Sequence, residues 1–264
     1  MTHWEFTDDE FQVLSVQYLD GVLPAPLTYL SRTPLLADYE REVAEIRERL
    51  DRELGSDFRQ AMRVVARPEV WIGLRASLDG AFGDPAKVIR MHGARLGRRA
   101  LLLRQEAGET FEHGGNVTVL ECDPEELPGL LVAQLPAAKA GRRTAIPIVG
   151  AAPVAPDPYA SQGSGAFDSF DETDESATVA FLSEPVTLAG SVRVAQARSK
   201  YGPRGLTGMA LDWRDVADDG RYLIDLAQPE LLAVSVDARQ FTDRIAGTVA
   251  QIIEQMEWRG EYDE

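Results

Sequence analysis

The chain has almost no cysteine. Cys122 is the only one in 264 residues, which excludes an intramolecular disulfide and any zinc site built from several thiolates. It closes the apolar run Val117 to Cys122, where a free thiol behaves as a small core residue. Histidine is nearly as scarce, at three copies. His3 lies near a terminus, His92 sits in a strand-like run with Val88 and Ile89, and His113 occupies the turn-like Glu112-His113-Gly114-Gly115. None is spaced with another His, Cys or Glu as a zinc helix requires. No run reaches the roughly 18 apolar residues of a membrane span. The opening MTHWEFTDDEF has neither the basic nor the apolar region of an export signal. The expectation is a cytoplasmic protein without membrane insertion.

Positive charge is also short. Lysine and arginine number 27 against 43 acidic residues, for a net charge of −16 and a pI near 4.7. Such a field repels phosphate, which argues against nucleic acid and anionic membrane surfaces as partners. It does serve solubility. The shortage is complete from Thr144 to Val192, where there is no Lys or Arg and seven residues are acidic. With its prolines and the low-complexity run Ala160 to Ser176, this stretch reads as an acidic flexible connector over about 150–178.

Catalytic signatures are missing as well. No P-loop pattern occurs. Gly202-Pro203-Arg204-Gly205-Leu206-Thr207-Gly208 is glycine-rich but reads as a hairpin loop. Gly163-Ser164-Gly165 lacks the five-residue nucleophile elbow. Asp212, Asp215, Asp218 and Asp219 lack the spacing and terminal Glu of a calcium loop, so turn chemistry explains them better. The expectation is no catalytic residue, no metal and no cofactor.

What is present is a core and a regular grammar. At 44% hydrophobic residues, the chain can bury a substantial interior. Thr7-Asp8-Asp9-Glu10 fits a capping box, with Phe6 and Phe11 placed as a hydrophobic staple around it. Phe11, Leu14, Tyr18 and Leu19 share one helical face. Thr33-Pro34 reads as the start of a second helix, with Leu36, Tyr39, Val43, Ile46, Leu50 and Leu54 along one stripe. A shorter helix follows Gly55-Ser56. The period then changes to two, giving strands over Val70 to Leu78, Lys87 to Ala94, Arg99 to Ala107 and Asn116 to Cys122. Asp123 reads as the cap of a helix stopped by Pro136.

After the connector come strands over Ser191 to Arg198, Leu206 to Trp213, Arg221 to Leu226 and Leu231 to Val236. Asp237 then caps a helix carrying Phe241, Ile245, Val249, Ile252 and Ile253. Four strands and an Asp-capped helix thus occur twice. The reading is a single α+β domain over 1–264, its sheet shared by two similar halves, about 1–143 and about 186–260. Within the hairpin Leu206 to Leu226, Asp218-Asp219-Gly220 supplies the turn. Trp213 is expected in the core, as is Trp71. Arg221 is expected to clamp the hairpin through Asp215 or Asp219, with the Tyr222 hydroxyl at the rim.

Three segments carry a resemblance to a known family: WEFTDDEFQVLSVQYLDGVLPAPL from Trp4, the run Arg99 to Gly141 ending LLVAQLPAAKAG, and LDWRDVADDGRYLI. In this order and spacing they resemble the EspG family of actinobacterial type VII (ESX) secretion. Phe6, Thr7, Glu10, Phe11, Trp213, Asp215, Gly220, Arg221 and Tyr222 are the structural signature. The resemblance implies a central antiparallel sheet built from two pseudo-symmetric halves and flanked by helical bundles. It also implies a cytosolic chaperone that keeps secreted PE/PPE-like helical heterodimers, or another helical substrate, soluble before export. A client tip would dock on the sheet and the last helices, with Leu223, Gln251, Gln255 and Trp258 as contacts. Trp258 is the anchor in this reading, because it lies past the apolar stripe of its helix. Two other readings stay open: an acidic α/β enzyme or small-molecule-binding protein, and a structural subunit of the secretion apparatus. A homodimer is also left open.

Overall fold

The computed structural model describes residues 2–149 and 172–261. The first half begins with β1 (His3–Phe6), α1 (Asp8–Tyr18), α2 (Leu36–Glu53) and α3 (Ser56–Ala66). It continues with β2 (Val70–Leu78), β3 (Val88–Leu96), β4 (Arg99–Gln105), β5 (Val117–Cys122) and α4 (Leu127–Ala133). The second half begins with β6 (Ala145–Pro147) and α5 (Glu172–Ser183). It continues with β7 (Val186–Gln196), β8 (Gly208–Val216), β9 (Gly220–Asp225), β10 (Leu232–Ser235) and α6 (Ala238–Arg259).

The strands form one sheet in the order β1-β5-β4-β3-β2-β7-β8-β9-β10-β6. Each neighbouring pair is antiparallel. This order carries the internal repeat. β2 and β7 meet in the middle, with Leu74 opposite Val192. Outward from them, β3-β4-β5 on one side mirrors β8-β9-β10 on the other. The outermost strands, β1 and β6, are the ones that precede the first helices of each half. Each half therefore reads strand, helical segment, four-stranded meander, helix.

Helices cover both faces. α4 and α6 pack on one face, where Ile72, Leu74, Met91, Val192, Leu211 and Trp213 meet Leu131, Phe241, Ile245 and Ile252. On the opposite face, α1 to α3 cover the first half through Phe11, Phe58 and Met62. α5 covers the second half through Phe181. Burying each of these large side chains contributes about 1.5–3 kcal/mol, so the two layers hold the sheet from both sides.

The start of α1 forms as its sequence requires. Thr7 and Glu10 make the reciprocal capping box, and the Phe6 and Phe11 rings lie 6.4 Å apart. Several elements differ from expectation. The opening residues also form β1, with Phe6 opposite Val117 of β5. α2 begins at Leu36 without a side-chain cap, because the Thr33 hydroxyl donates to Glu42 at 2.6 Å rather than accepting from the helix backbone. Asp123 accepts from the N–H of Glu125 in a turn, and α4 starts four residues later with Pro128 in its first turn. The connector expected to run to about 178 gives way at Glu172 to helix α5. Its earlier part, 150–171, lies outside the described residues.

Candidate interaction surface

α6 sets the geometry of the surface. Asp237 and Gln240 cap it reciprocally, and Gly260 ends it in the left-handed region at φ 61°. Phe241, Ile245, Val249, Ile252 and Met256 face the sheet, while Thr242, on the α4 side, approaches Gly129. At roughly 100° per residue, Gln240, Arg244, Gln251, Gln255 and Trp258 fall within about 60° of one another on the remaining side. Trp258 is 87% exposed. Gln255 is half-buried and accepts a hydrogen bond from the Thr207 hydroxyl at 2.8 Å.

Among the described residues, no helix covers the sheet beside the first turns of α6. Here a groove of ≈ 560 Å³ is lined by Leu211, Leu223, Leu232, Val234, Gln240 and Arg244, among others. Leu223 forms its floor opposite Trp213. Leu232 and Val234 of β10 form an apolar wall, 43% and 42% exposed. They share a strand face because side chains alternate, whereas Ala233 between them is fully buried on the α5 side. Arg244 pairs with Asp225 at the rim. Burial would raise the pKa of Asp225. The N–H of Ala227, the Gln228 amide and the Arg244 guanidinium outweigh it and hold the carboxyl below its ordinary range. The groove thus offers apolar area with a charged rim.

The hairpin that forms this region is locked from behind. Arg221 grips Asp215 with two parallel bonds, 2.7 and 2.6 Å long, in a fully buried pair. Its Nη2 also donates to the Pro136 carbonyl. Tyr222 is wholly buried rather than at the rim. Its hydroxyl donates to Asp219 at 2.7 Å and accepts from the N–H of Arg143 at 3.1 Å. Arg143 bridges Asp219 and Glu184 and lies over the Phe181 and Tyr222 rings, tying α5 to the hairpin. Burial would raise the pKa of Asp219. The N–H of Arg142, the Tyr222 hydroxyl and the Arg143 guanidinium more than offset it and push the carboxyl well below the carboxylate range. The positive φ of the turn falls on Asp218, at 59°. Gly220 is needed on two counts: its φ is also positive, at 158°, and a Cβ there would stand 2.5 Å from the Ala140 carbonyl oxygen.

The sequence-derived residues therefore separate into two groups. Phe6, Thr7, Glu10 and Phe11 build the start of α1, and Trp213, Asp215, Gly220, Arg221 and Tyr222 build the hairpin clamp. Trp213 is core, but Trp71 is only half-buried, stacked on His92 with centroids 6.1 Å apart. Gln251, Gln255 and Trp258 share one side of α6. Leu223 lies by the other end of that helix, next to Arg244, about 21 Å away along an axis rising 1.5 Å per residue. Leu232, Val234, Gln240 and Arg244 were not singled out by sequence. The available signal was the run Leu231 to Val236, apolar at both parities, which leaves one face of a strand in need of cover.

Among the described residues, no group of three or more His, Cys, Asp or Glu could hold a metal ion. No helix among them is long and apolar enough to cross a membrane. Burial pushes the Cys122 thiol up to about 11, where it is inert as a nucleophile.

A search of the curated proteins returns no match. Among solved structures the chain is similar to the Mycobacterium tuberculosis type VII secretion system chaperone EspG5, determined in complex with a PE25-PPE41 dimer. That match has 15% identity, covers 95% of this chain and 96% of that one, and has a TM-score of 0.57. At this identity it shows a shared fold. The family model for EspG matches residues 7–247, a span that takes in the capped start of α1, the hairpin clamp and the groove. The chain belongs to the EspG family.

Proposed function

We propose that this protein is a chaperone of type VII secretion. It acts in the cytosol by stoichiometric binding, without catalysis, and its client is a PE/PPE-like helical heterodimer held soluble before export. Two things support the client class: membership of the EspG family, and a fold-level relative solved with a PE25-PPE41 dimer. The observation that carries the reading is the open apolar groove beside α6, walled by Leu232 and Val234. Exposed apolar surface flanked by polar groups marks a protein-binding site, and an apolar helical tip laid into a groove is an established recognition mode.

In this reading the client lies along the open side of α6. Its tip enters the groove over Leu223 and its flank passes Gln251 and Gln255 to reach Trp258. A client helix of about fourteen residues spans that distance at 1.5 Å per residue. The acidic net charge keeps the loaded complex soluble.

The test is co-expression with PE/PPE-like proteins encoded beside this gene, followed by size-exclusion chromatography with light scattering. The expected result is a discrete complex containing one copy of each chain. Failure of every such pair to co-elute with this protein, when each pair is made soluble by other means, would overturn the reading.

A further inference from the structure

On the sheet face turned away from the groove, strand register sets two arginines side by side. Arg75 of β2 is directly opposite Arg90 of β3, so their Cβ atoms leave the same face about 5 Å apart. Arg90 is 2% exposed. Its Nη2 donates to the Phe111 carbonyl at 2.9 Å, and its Nη1 is buried without a hydrogen-bond partner. Arg75 is exposed, with its guanidinium 6.0 Å from the centre of the Phe111 ring. Among the described residues the two guanidinium groups meet the Phe111 carbonyl and the Phe111 ring rather than a carboxylate.

The surroundings do not compensate them. Burial, then the charge of Arg75, lowers the pKa of Arg90, yet a guanidinium stays cationic in any protein environment. Glu112 favours that charge, but it is exposed and its carboxylate accepts from the Thr110 hydroxyl at 2.9 Å. Along the same row, Gln105 is opposite Arg90 and is bound to the Thr28 backbone. Ser191 is opposite Arg75 on the other side. Asp212 stands two strands from Arg75, roughly 10 Å at the usual strand spacing, and is engaged in an interaction of its own. Like charges directly opposite each other are destabilising, and so is a buried cation without a counter-charge. Among the described residues no carboxylate is bonded to either arginine and only the exposed Glu112 favours the Arg90 charge, so the buried, unpartnered Nη1 of Arg90 beside a second cation marks a place suited to an added negative group.

We infer that Arg75 and Arg90, with Ser191 beside them, form a binding site for an oxyanion, the carboxylate or phosphate group of a ligand. Arg75 is the mobile, solvent-facing arm. It lifts from Phe111 to admit the anion, which then takes the free Nη1 of Arg90 and one edge of Arg75. Two guanidinium groups suit a group with two or more oxygens. The site is on the opposite face from the groove and stands whether or not the groove takes a client.

Thermal melts of wild type and Arg75→Gln at pH 7 test it, in chloride, inorganic phosphate and acetate at matched ionic strength. General salt effects act on both proteins alike and cancel in the comparison. For wild type, the expected rise in Tm is roughly 3 °C at about tenfold the Kd of the anion. Arg75→Gln keeps its Tm in chloride and loses the rise. A response to phosphate alone identifies a phosphate-bearing ligand, and a response to acetate a carboxylate. No rise with either anion in wild type, or an equal rise in the variant, overturns the site.

Discussion

A Cβ placed on Gly141 would stand 2.0 Å from Cζ of Tyr222. The glycine closes the segment ending LPAAKAG, and the tyrosine is the third residue of the return strand of the hairpin. The N–H of Arg221 donates to the Lys139 carbonyl at 2.8 Å, and that of Gly141 to the Arg221 carbonyl at 3.3 Å. Two of the three segments that carry the family resemblance are therefore one packed unit. The Tyr222 ring cannot retreat, because Phe181 packs edge-on against it at 5.3 Å and its hydroxyl is held by Asp219. Gly141→Ala is expected to destabilise the fold by about 2–4 kcal/mol through overpacking. Urea denaturation should show a lower midpoint with unchanged slope. A change below about 0.5 kcal/mol would mean that the segment is free to move off the ring.

The buried Arg221–Asp215 pair gives an asymmetric prediction. Removing one partner leaves the other charged, buried and alone. Arg221→Met is expected to cost roughly 3–5 kcal/mol, whereas the double change Arg221→Met with Asp215→Leu should recover most of that loss. The double-mutant comparison reads the coupling directly. If the double variant is no more stable than Arg221→Met, the Pro136 carbonyl contact, not the ion pair, is the main element of the clamp.

His92 predicts how stability responds to mild acid. Burial pushes its pKa down to about 4, below the unfolded value near 6.5. Nδ1 lies 2.8 Å from the Ala25 carbonyl oxygen, which the neutral ring satisfies by donating. Between these two pKa values the unfolded chain binds the extra proton, so stability is full above about pH 6.5 and falls as pH drops toward 4. The loss is on the order of 3 kcal/mol. Asp219 acts lower: its folded pKa is depressed, so its contribution is present above the unfolded carboxylate value and is lost below about pH 4. Denaturant midpoints from pH 7 to 4.5 should fall for wild type and stay nearly level for His92→Gln. Parallel falls in both proteins would assign the early acid response to another group.

The sequence was informative where local chemistry and pattern decide the structure. β2 occupies the residues its alternation indicates, the Thr7 and Asp237 caps form, and two similar halves emerge as a sheet mirrored about β2 and β7. The elements that escaped are short or depend on distant partners. β1 overlaps the cap signal of α1, and β6 is three residues ending in a proline. α5 lies in a stretch of one charge sign, and its place is held by Arg143 and Tyr222 from elsewhere in the chain. The surface divided in the same way. Trp258 stood out because it follows the apolar stripe of its helix. Leu232 and Val234 did not, because the run around them cannot say which face of β10 α6 fails to reach.

That division yields the last prediction. If the groove holds the client tip, Val234→Asp should weaken client binding by at least a hundredfold. It would place a charge in a desolvated contact, where losses of 3 kcal/mol or more are common, at about 1.4 kcal/mol per tenfold. The side chain is partly exposed in the free protein, so the Tm of unbound Val234→Asp should change by no more than a few degrees. Trp258→Ala reports on the far end of the same path. If the client spans α6, this variant loses affinity too, through faster dissociation rather than slower association. Surface-immobilised client heterodimer and soluble variants separate the two rates. Full affinity in Trp258→Ala with loss in Val234→Asp confines the contact to the groove. The reverse pattern moves the client to the C-terminal end of α6 and removes the groove from its site.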